Sequence, residues 1–216
     1  MEGTLARFAR GISRVGSAQL PRYFSAEEVR RILERAPDFR SRFCIHLLWK
    51  TGMRASEAVA LKWDDVNVYD GHVRVVTLKK SRKKARGRRP IRQHERIIPV
   101  DDALLSDFFR WKELVREIAA ATGSSRKRER AALFVLPFSY VTLYRIVAKA
   151  VLEAGFDRER AHPHTFRHSF AVHLLKNGVP ITVVQQLLGH SSIENTLIYT
   201  AIVQQEAMAF LKEVKW

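Results

Sequence analysis

The sequence predicts a mainly α fold with a small antiparallel β-sheet, that is, an α+β protein. Apolar residues recur mostly at spacings of three and four, the period of a helix that buries one face. Around one Asp-Gly pair the pattern changes to β-forming residues on both sides, which indicates a hairpin. With 216 residues, 46% of them hydrophobic, the chain is long enough for one packed domain, or for one large and one small unit.

The first helices have recognisable boundaries. Residues 25–28 (SAEE) are typical of a capping box, and the helix that starts there is expected to end before Pro37. A second helix is predicted over residues 39–50, with Gly52 as its C-terminal stop. A short third helix follows over residues 55–61.

The β-sheet is predicted from two hairpin strands and one later strand. The hairpin strands span residues 66–69 and 73–78, on either side of Asp70-Gly71, and the third strand spans residues 96–100. The intervening run, KKSRKKARGRRPIRQHE, is strongly positive and has almost no apolar residue, so it cannot pack a core. We expect a mobile loop that becomes ordered on a phosphate backbone.

The rest of the chain is predicted to be helical. The expected helices span residues 101–121, 139–154, 165–175 and 180–188, with a short one from about 193 and an amphipathic stretch at 204–214. Residues 123–128 (GSSRKR) are interpreted as a basic break between two of these helices.

Composition narrows the class of partner. The formal net charge is +16, which favours nucleic acid as the partner and leaves an anionic membrane surface as the alternative. No long uncharged apolar run is present to span a bilayer. Cys44 is the single cysteine, which excludes an internal disulfide or a multi-cysteine zinc site and favours a buried thiol in a reducing cytoplasm. Residues 1–22 are interpreted as a basic arm or linker.

Four short motifs contain the residue types that suit chemistry on a phosphate. They are TGMRASE at residues 51–57, HTFR at 164–167, LGH at 188–190 and IYT at 198–200. Arginine forks bind nonbridging phosphate oxygens, and histidines move protons or donate hydrogen bonds near neutral pH. A tyrosine hydroxyl can be a covalent nucleophile.

The local context of each motif fits this interpretation. Arg54 lies at the mouth of the third helix, where Glu57 is interpreted as a polar tie rather than a catalytic group. His164 and Arg167, three residues apart, share one face at the start of a helix, and a helix N-terminus favours an anion. The glycine before His190 allows a sharp turn there.

Together these motifs resemble the tyrosine recombinase (phage integrase) family, from about Tyr23 to the C-terminus. The resemblance implies the catalytic-domain fold of that family and site-specific cleavage and rejoining of duplex DNA through a 3′-phosphotyrosine. It implies neither a metal nor a nucleotide cofactor. The expected organisation is an arm over residues 1–22, a catalytic domain over 23–203 and a tail over 204–216 that docks on a neighbouring protomer or folds back on its own domain.

The resemblance also assigns roles to the motif residues. Tyr199 is the expected nucleophile, and Arg54 and Arg167 neutralise the nonbridging oxygens. His164 assists removal of the tyrosine proton, and His190 donates a hydrogen bond to the same phosphate. Neither flanking histidine is assigned a role: His168 is expected to point elsewhere, and His162 precedes Pro163 in an extended segment.

A lysine after the second strand completes the implied set as the general acid for the leaving 5′ oxygen. Lys79 fits best, followed by Lys80 and Lys83. The basic loop is expected to contact DNA. Its candidate DNA-binding residues are Lys80, Arg82, Lys83, Lys84, Arg86, Arg88, Arg89 and Arg92.

Two points stay open at the level of sequence. Family members mostly carry about a hundred residues before the catalytic domain. This chain is therefore expected to be a natural single-domain recombinase, similar to the fimbrial invertases, or else a catalytic fragment or a decayed relative that lost this preceding module. A type IB topoisomerase and a DNA-binding regulator with a vestigial active site are the alternative functions. For a recombinase we expect a monomer in free solution, a tetrameric synapse on DNA, and a cytoplasmic, nucleoid-associated protein.

Overall fold

A computed structural model describes residues 20–78, 93–121, 124–190 and 192–213, with backbone alone at 78, 93 and 208–213. The described part contains helices, one 3-10 turn at Trp63–Asp65 and a three-stranded sheet. The helices are α1 (Ala26–Glu34), α2 (Phe39–Thr51), α3 (Ala55–Ala60), α4 (Asp102–Ala121), α5 (Ser125–Leu133), α6 (Tyr140–Glu153), α7 (Pro163–Lys176), α8 (Ile181–Leu188) and α9 (Glu194–Glu213). The strands are β1 (Val66–Asn67), β2 (His72–Leu78) and β3 (Gln93–Pro99). The predicted fold class is confirmed.

The boundaries of the first helices follow from their capping residues, of which the capping box of α1 and the Gly52 stop of α2 were predicted. Ser25 and Glu28 form a capping box at the start of α1, each side chain bonding the other residue's backbone N–H. Asp38 caps α2 by accepting from the backbone N–H of Ser41 at 2.7 Å. Gly52 ends α2 in the left-handed conformation, with φ +57°.

The sheet is antiparallel, in the order β1-β2-β3. Its register pairs Val73 with Ile98 and Val75 with Arg96, and the side chains of all four residues are buried. Because side chains alternate along a strand, these residues form the inner face of the sheet. Arg96 is therefore a charged residue at a core-facing position.

Residues 125–128 of the segment predicted as a basic break belong to helix α5 instead. Lys, Arg, Glu and Ala all favour the helix, and their summed preference outweighs the charge in SRKRERAAL. Ala131 is buried, and its carbonyl accepts a hydrogen bond from the indole N–H of Trp63. Burial against the 3-10 turn thus fixes a helix that charge alone did not suggest.

A second difference concerns the C-terminal part of the chain. A short helix carrying Tyr199 and a separate amphipathic stretch were predicted, but α9 runs without interruption from Glu194 to Glu213. Between Tyr199 and the stretch predicted at 204–214 lie Thr, Ile and Val, which favour a helix less than Ala does. The same residues include neither Gly nor Pro, so nothing there breaks the helix. Glu206 accepts a hydrogen bond from Tyr23 and pairs with Lys176, so this part of α9 packs on its own chain.

The buried side chains form a large core and a smaller one. The large core joins α1 to α7 with the sheet, whereas the small one lies between α7, α8 and α9. Tyr199 belongs to the small core, together with Phe170, Val184, Leu188 and Ile202. Among the described residues, no helix is long and apolar enough to cross a membrane.

Candidate active site

Arg54 lies at the N-terminus of α3, as the sequence predicted. Its backbone N–H donates to Glu57 Oε2 at 2.9 Å, and its guanidinium Nη1 donates to Glu57 Oε1 at 3.0 Å. The interpretation of Glu57 as a polar tie is confirmed. About a third of the Arg54 side chain stays exposed, so the guanidinium can still bind a ligand.

Arg167 is held in the interior by backbone carbonyls. Its side chain is nearly fully buried, with Nη1 donating to the Gly52 carbonyl at 2.7 Å and Nη2 to the Leu188 carbonyl at 2.6 Å. Burial, and then the positive charge of Arg54, lower the pKa of Arg167 to about 9. The guanidinium therefore remains charged at neutral pH. Through these two hydrogen bonds, Arg167 links its own motif, HTFR, to TGMRASE and LGH.

Gly52 is required at its position for two reasons. Its left-handed backbone favours glycine, and a Cβ built on it would lie 2.3 Å from Cδ1 of Phe170. The close approach of α7 to the end of α2 brings the Gly52 carbonyl within reach of Arg167. The glycine of TGMRASE thus sets the spacing between the two arginines.

His190 follows Gly189, which ends α8 in the left-handed conformation with φ +64°. The Nδ1 of His190 lies 2.9 Å from the hydroxyl oxygen of Thr196. Burial, and then the charges of Arg167 and Arg54, lower the pKa of His190 to about 4, so its ring is neutral at pH 7. When Thr196 donates to Nδ1, the ring proton sits on Nε2, which can then donate to a phosphate.

His164 lies in the first turn of α7, with its side chain exposed. Burial of part of the ring, and then the charge of Arg167, lower the pKa of His164. A neutral imidazole beside two guanidiniums can accept a proton when a negatively charged phosphate arrives.

The Tyr199 hydroxyl lies in the small core. Only 2% of the residue is exposed, and its oxygen lies 2.9 Å from Nδ1 of His168. The expectation that His168 points elsewhere is wrong, because α9 packs across the face of α7 that carries His164 and His168 one turn apart. Burial raises the pKa of Tyr199, whereas the charges of Arg167 and Arg54 lower it. The phenol is therefore protonated in the DNA-free state.

The predicted residues converge on one site. Arg54 and Arg167 both influence the pKa of His164, His190 and Tyr199, which places all five in one electrostatic environment. Lys79 and the eight candidate DNA-binding residues lie outside the described residues. These eight candidates are Lys80, Arg82, Lys83, Lys84, Arg86, Arg88, Arg89 and Arg92.

Sequence reasoning missed three residues that contact this site. His168 bonds the Tyr199 hydroxyl, Thr196 bonds His190, and Arg96 bonds Glu57. The sequence could have indicated that Arg96 is buried, because alternate residues of a strand lie on the same face and Arg96 shares its face with Ile98. The Thr196 and His168 contacts depend on how α9 packs, which no local pattern encodes.

Comparison with known proteins identifies the family and agrees with the fold. The phage integrase family is matched over residues 22–206. The chain therefore belongs to the phage integrase family, the tyrosine recombinases. By class it is a site-specific recombinase, an enzyme that breaks and rejoins DNA strands.

Individual relatives span the same region. A resolvase of Escherichia coli is 32% identical over 203 residues, covering 88% of this chain and 77% of the relative. The tyrosine recombinase XerD of Staphylococcus aureus is 32% identical over 198 residues, covering 87% of this chain but 60% of the relative. The chain thus spans only part of the length of XerD.

Solved structures share the fold. The XerA recombinase superposes with a TM-score of 0.66 at 24% identity, covering 93% of this chain and 68% of XerA. The catalytic domain of the bacteriophage HP1 integrase gives 0.53 at 22% identity, covering 83% of this chain and 86% of that domain. The predicted recombinase catalytic fold is confirmed.

Proposed function

We propose that Tyr199 attacks the scissile phosphate of duplex DNA and that the other motif residues stabilise and protonate the groups around it. The new bond joins the tyrosine oxygen to phosphorus, and the bond from phosphorus to the 5′ oxygen breaks. A 3′-phosphotyrosine forms and a 5′ hydroxyl leaves. The single observation that carries this proposal is the buried Tyr199 hydroxyl, bonded to His168 within the field of two arginines.

The arginines fit the electrostatic role. Arg167 has two nitrogens bonded to carbonyls in fixed positions, and Arg54 has its guanidinium partly exposed beside it. Donors fixed in advance need no reorganisation when charge develops on the nonbridging oxygens. The Nε2 of His190 supplies a further donor in its neutral form.

The tyrosine proton has a partner already in contact. Burial, and then the charge of His164, lower the pKa of His168 to about 4, so its neutral ring accepts from the Tyr199 hydroxyl. The rings of His164 and His168 lie 6.1 Å apart, and His164 is the more exposed of the two. His164 keeps its proposed role in proton removal, with His168 added as the residue that contacts the phenol. Lys79 keeps its proposed role as general acid.

Duplex DNA is the proposed substrate, and one solved relative, the XerH site-specific recombinase, is bound to its difH substrate in a pre-cleavage complex. XerH superposes with a TM-score of 0.62 at 24% identity, and this chain covers 51% of it. The charge of +16 supports the same partner. We propose further that the protein is a monomer in free solution and forms a tetrameric synapse on paired sites in the nucleoid.

The test is a nicked suicide substrate that traps the covalent intermediate. We expect the unmodified protein to form a protease-sensitive adduct and Tyr199→Phe to bind the same DNA without forming it. Tyr69→Phe is the matched control, because Tyr69 is almost fully exposed on the β1–β2 turn. An adduct with Tyr199→Phe would refute the assignment of the nucleophile.

A further inference from the structure

Arg96 occupies a position where a charge needs an explanation. It lies in the middle of β3, opposite Val75, on the inner face of the sheet and only 8% exposed. A buried guanidinium is unfavourable unless its donors are satisfied by matched acceptors. The bonds that Arg96 makes therefore indicate what it is for.

The guanidinium of Arg96 bonds three separate segments of the site. Nη2 donates to Glu57 Oε2 at 2.6 Å, and Nη1 donates to Glu57 Oε1 at 3.2 Å and to Thr77 Oγ1 at 3.0 Å. Nε donates to the Leu187 carbonyl at 2.6 Å. In the sequence, Glu57, Thr77 and Leu187 each lie within three residues of a proposed catalytic residue, namely Arg54, Lys79 and His190, respectively.

Glu57 is the acceptor that Arg96 shares with Arg54. The same carboxylate accepts from Thr77 at 2.6 Å and from both the backbone and the guanidinium of Arg54. Burial by itself would raise the pKa of Glu57, but the hydrogen bonds from Arg96 and Thr77 hold it at about 2. Glu57 is thus a buried anion with two cationic neighbours, one buried and one partly exposed.

The end of α8 is shaped to admit Arg96. A Cβ built on Gly189 would lie 3.1 Å from Nη1 of Arg96, so the glycine leaves room for the guanidinium. A cation also suits the C-terminus of a helix, where carbonyls lack intrahelical partners. Arg96 therefore fixes the turn from which His190 extends.

We propose that Arg96 is a positioning residue of the cleavage reaction: it neutralises Glu57, so that Arg54 keeps its guanidinium available for the DNA phosphate. Without Arg96, the buried carboxylate has Arg54 as its one direct cationic partner among the described residues. Arg54 would then be drawn onto Glu57 and away from the phosphate. The inference rests on the proposed function, and it concerns a residue that is only 8% exposed.

The experiment compares cleavage of the suicide substrate by Arg96→Met, Arg96→Lys and the double variant Arg96→Met with Glu57→Gln. At pH 7.5 we expect Arg96→Met to lose about a hundredfold in cleavage rate, the scale of one lost electrostatic donor. Arg96→Lys should keep the rate within about tenfold, because the ammonium still neutralises the carboxylate. The double variant should recover at least about tenfold over Arg96→Met, because no anion remains to capture Arg54.

A pH profile separates this role from simple loss of structure. In Arg96→Met the pKa of Glu57 should rise, so that the carboxylate becomes protonated and releases Arg54 as pH falls. The cleavage rate of Arg96→Met, divided by that of the unmodified protein, should therefore increase from pH 8 to pH 5. In the double variant that ratio should stay flat. Among the described residues, Arg54, Arg167 and His190 interact electrostatically with Glu57 or Arg96, and all three are present in every protein compared.

The controls make a failure interpretable. Arg74→Met removes an ion pair with Asp65 from the same sheet, outside the site, and should leave cleavage unchanged. If Arg96→Met does not fold, as judged by its urea unfolding curve, the double variant and Arg96→Lys carry the test. A double variant that is folded but as slow as Arg96→Met, or an Arg96→Lys as slow as Arg96→Met, overturns the proposal. Absence of the adduct with the unmodified protein would instead refute the proposed function.

Discussion

At the scale of single residues, the site separates buried basic side chains from exposed ones. Arg167 and Arg96 are buried and their charges are satisfied by carbonyls or a carboxylate, whereas Arg54 and His164 remain reachable. Among the described residues, every buried polar side-chain atom has a hydrogen-bond partner. The buried groups therefore hold fixed positions, which is the condition for electrostatic stabilisation without reorganisation.

Replacing either proposed transition-state arginine should slow chemistry more than binding. We expect Arg54→Ala and Arg167→Ala to cleave the suicide substrate about a hundredfold more slowly, or worse, while still binding DNA, because each acts on charge that develops during the reaction. Single-turnover cleavage and gel-shift affinity measure the two effects. Arg42→Ala, which removes an exposed arginine of α2, is the control. A variant with near-normal cleavage would remove that arginine from the site.

The general acid can be identified chemically. A 5′-bridging phosphorothiolate leaves as a thiolate and needs little protonation, so a missing general acid matters little on that substrate. We expect Lys79→Ala to be slow on ordinary DNA and largely rescued on the phosphorothiolate, in a single-turnover comparison of the two substrates. Lys80→Ala and Lys83→Ala are the matched controls, and rescue of either one instead would assign the role to that lysine.

At the scale of elements, the site is assembled from the ends of helices. Arg54 begins α3, His164 and Arg167 lie near the start of α7, and His190 follows the end of α8. Helix N-termini offer free N–H groups to an anion, and the glycine-ended helices turn sharply enough to bring side chains together. The small core then places Tyr199 of α9 against this arrangement.

Gly52 offers a test of how closely α2 and α7 must approach. We expect Gly52→Ala to destabilise the protein by about 2–4 kcal/mol, combining the left-handed backbone with overpacking against Phe170. Gly155→Ala is the matched control, because Gly155 has φ +85° and a Cβ added there would meet no atom within 4 Å, so only the backbone effect of about 1–2 kcal/mol remains. Urea unfolding measures both. Equal destabilisation of the two variants would mean that the contact with Phe170 relaxes without cost.

The basic loop is testable through salt dependence. Replacing residues 82–92 with Gly and Ser at equal length removes seven Lys and Arg residues and keeps the connection between β2 and β3. We expect the slope of log affinity against log salt to fall by about 0.9 for each phosphate that the loop no longer neutralises. Fluorescence anisotropy over a salt series measures the slope. An unchanged slope would show that the loop binds no phosphate.

At the scale of the whole molecule, the packing of the C-terminal helix limits which residues are available for the predicted contact between protomers. Ile202 is buried in the small core and Glu206 bonds Tyr23 and Lys176, so α9 packs on its own chain at least as far as Glu206. Docking on a neighbouring protomer stays a prediction, and it now concerns residues 208–216. The large apolar residues of that segment are Met208, Phe210, Leu211, Val214 and Trp216.

Truncation after Ala207 tests this coupling while keeping Ile202 and Glu206. We expect the truncated protein to bind a single half-site normally but to lose cooperative binding to paired half-sites and to lose recombination. Gel-shift titrations on one and two half-sites, together with sedimentation of the free protein, measure assembly. Equal cooperativity in the full-length and truncated proteins would assign the segment to local packing instead.

Local patterns in the amino-acid sequence were enough to predict much of this protein. Capping residues, glycine stops and the Asp-Gly turn defined most helix and strand boundaries, because each depends on the backbone of a few neighbouring residues. The motif residues Arg54, His164, Arg167, His190 and Tyr199 were recognisable because each lies in a short motif that resembles one of the family's. Lys79 was less defined, since a long basic loop offers several equivalent lysines.

Which side chains meet became visible only in three dimensions. The bond between His168 and Tyr199 depends on α9 crossing α7, and the bonds of Arg96 join residues 39 and 91 positions away along the chain. The charge of residues 123–128 indicated a break between helices, whereas burial of Ala131 against the 3-10 turn fixes helix α5 from Ser125 onwards. Contacts between distant segments depend on packing and on shared buried charge, and neither has a local signature in the sequence.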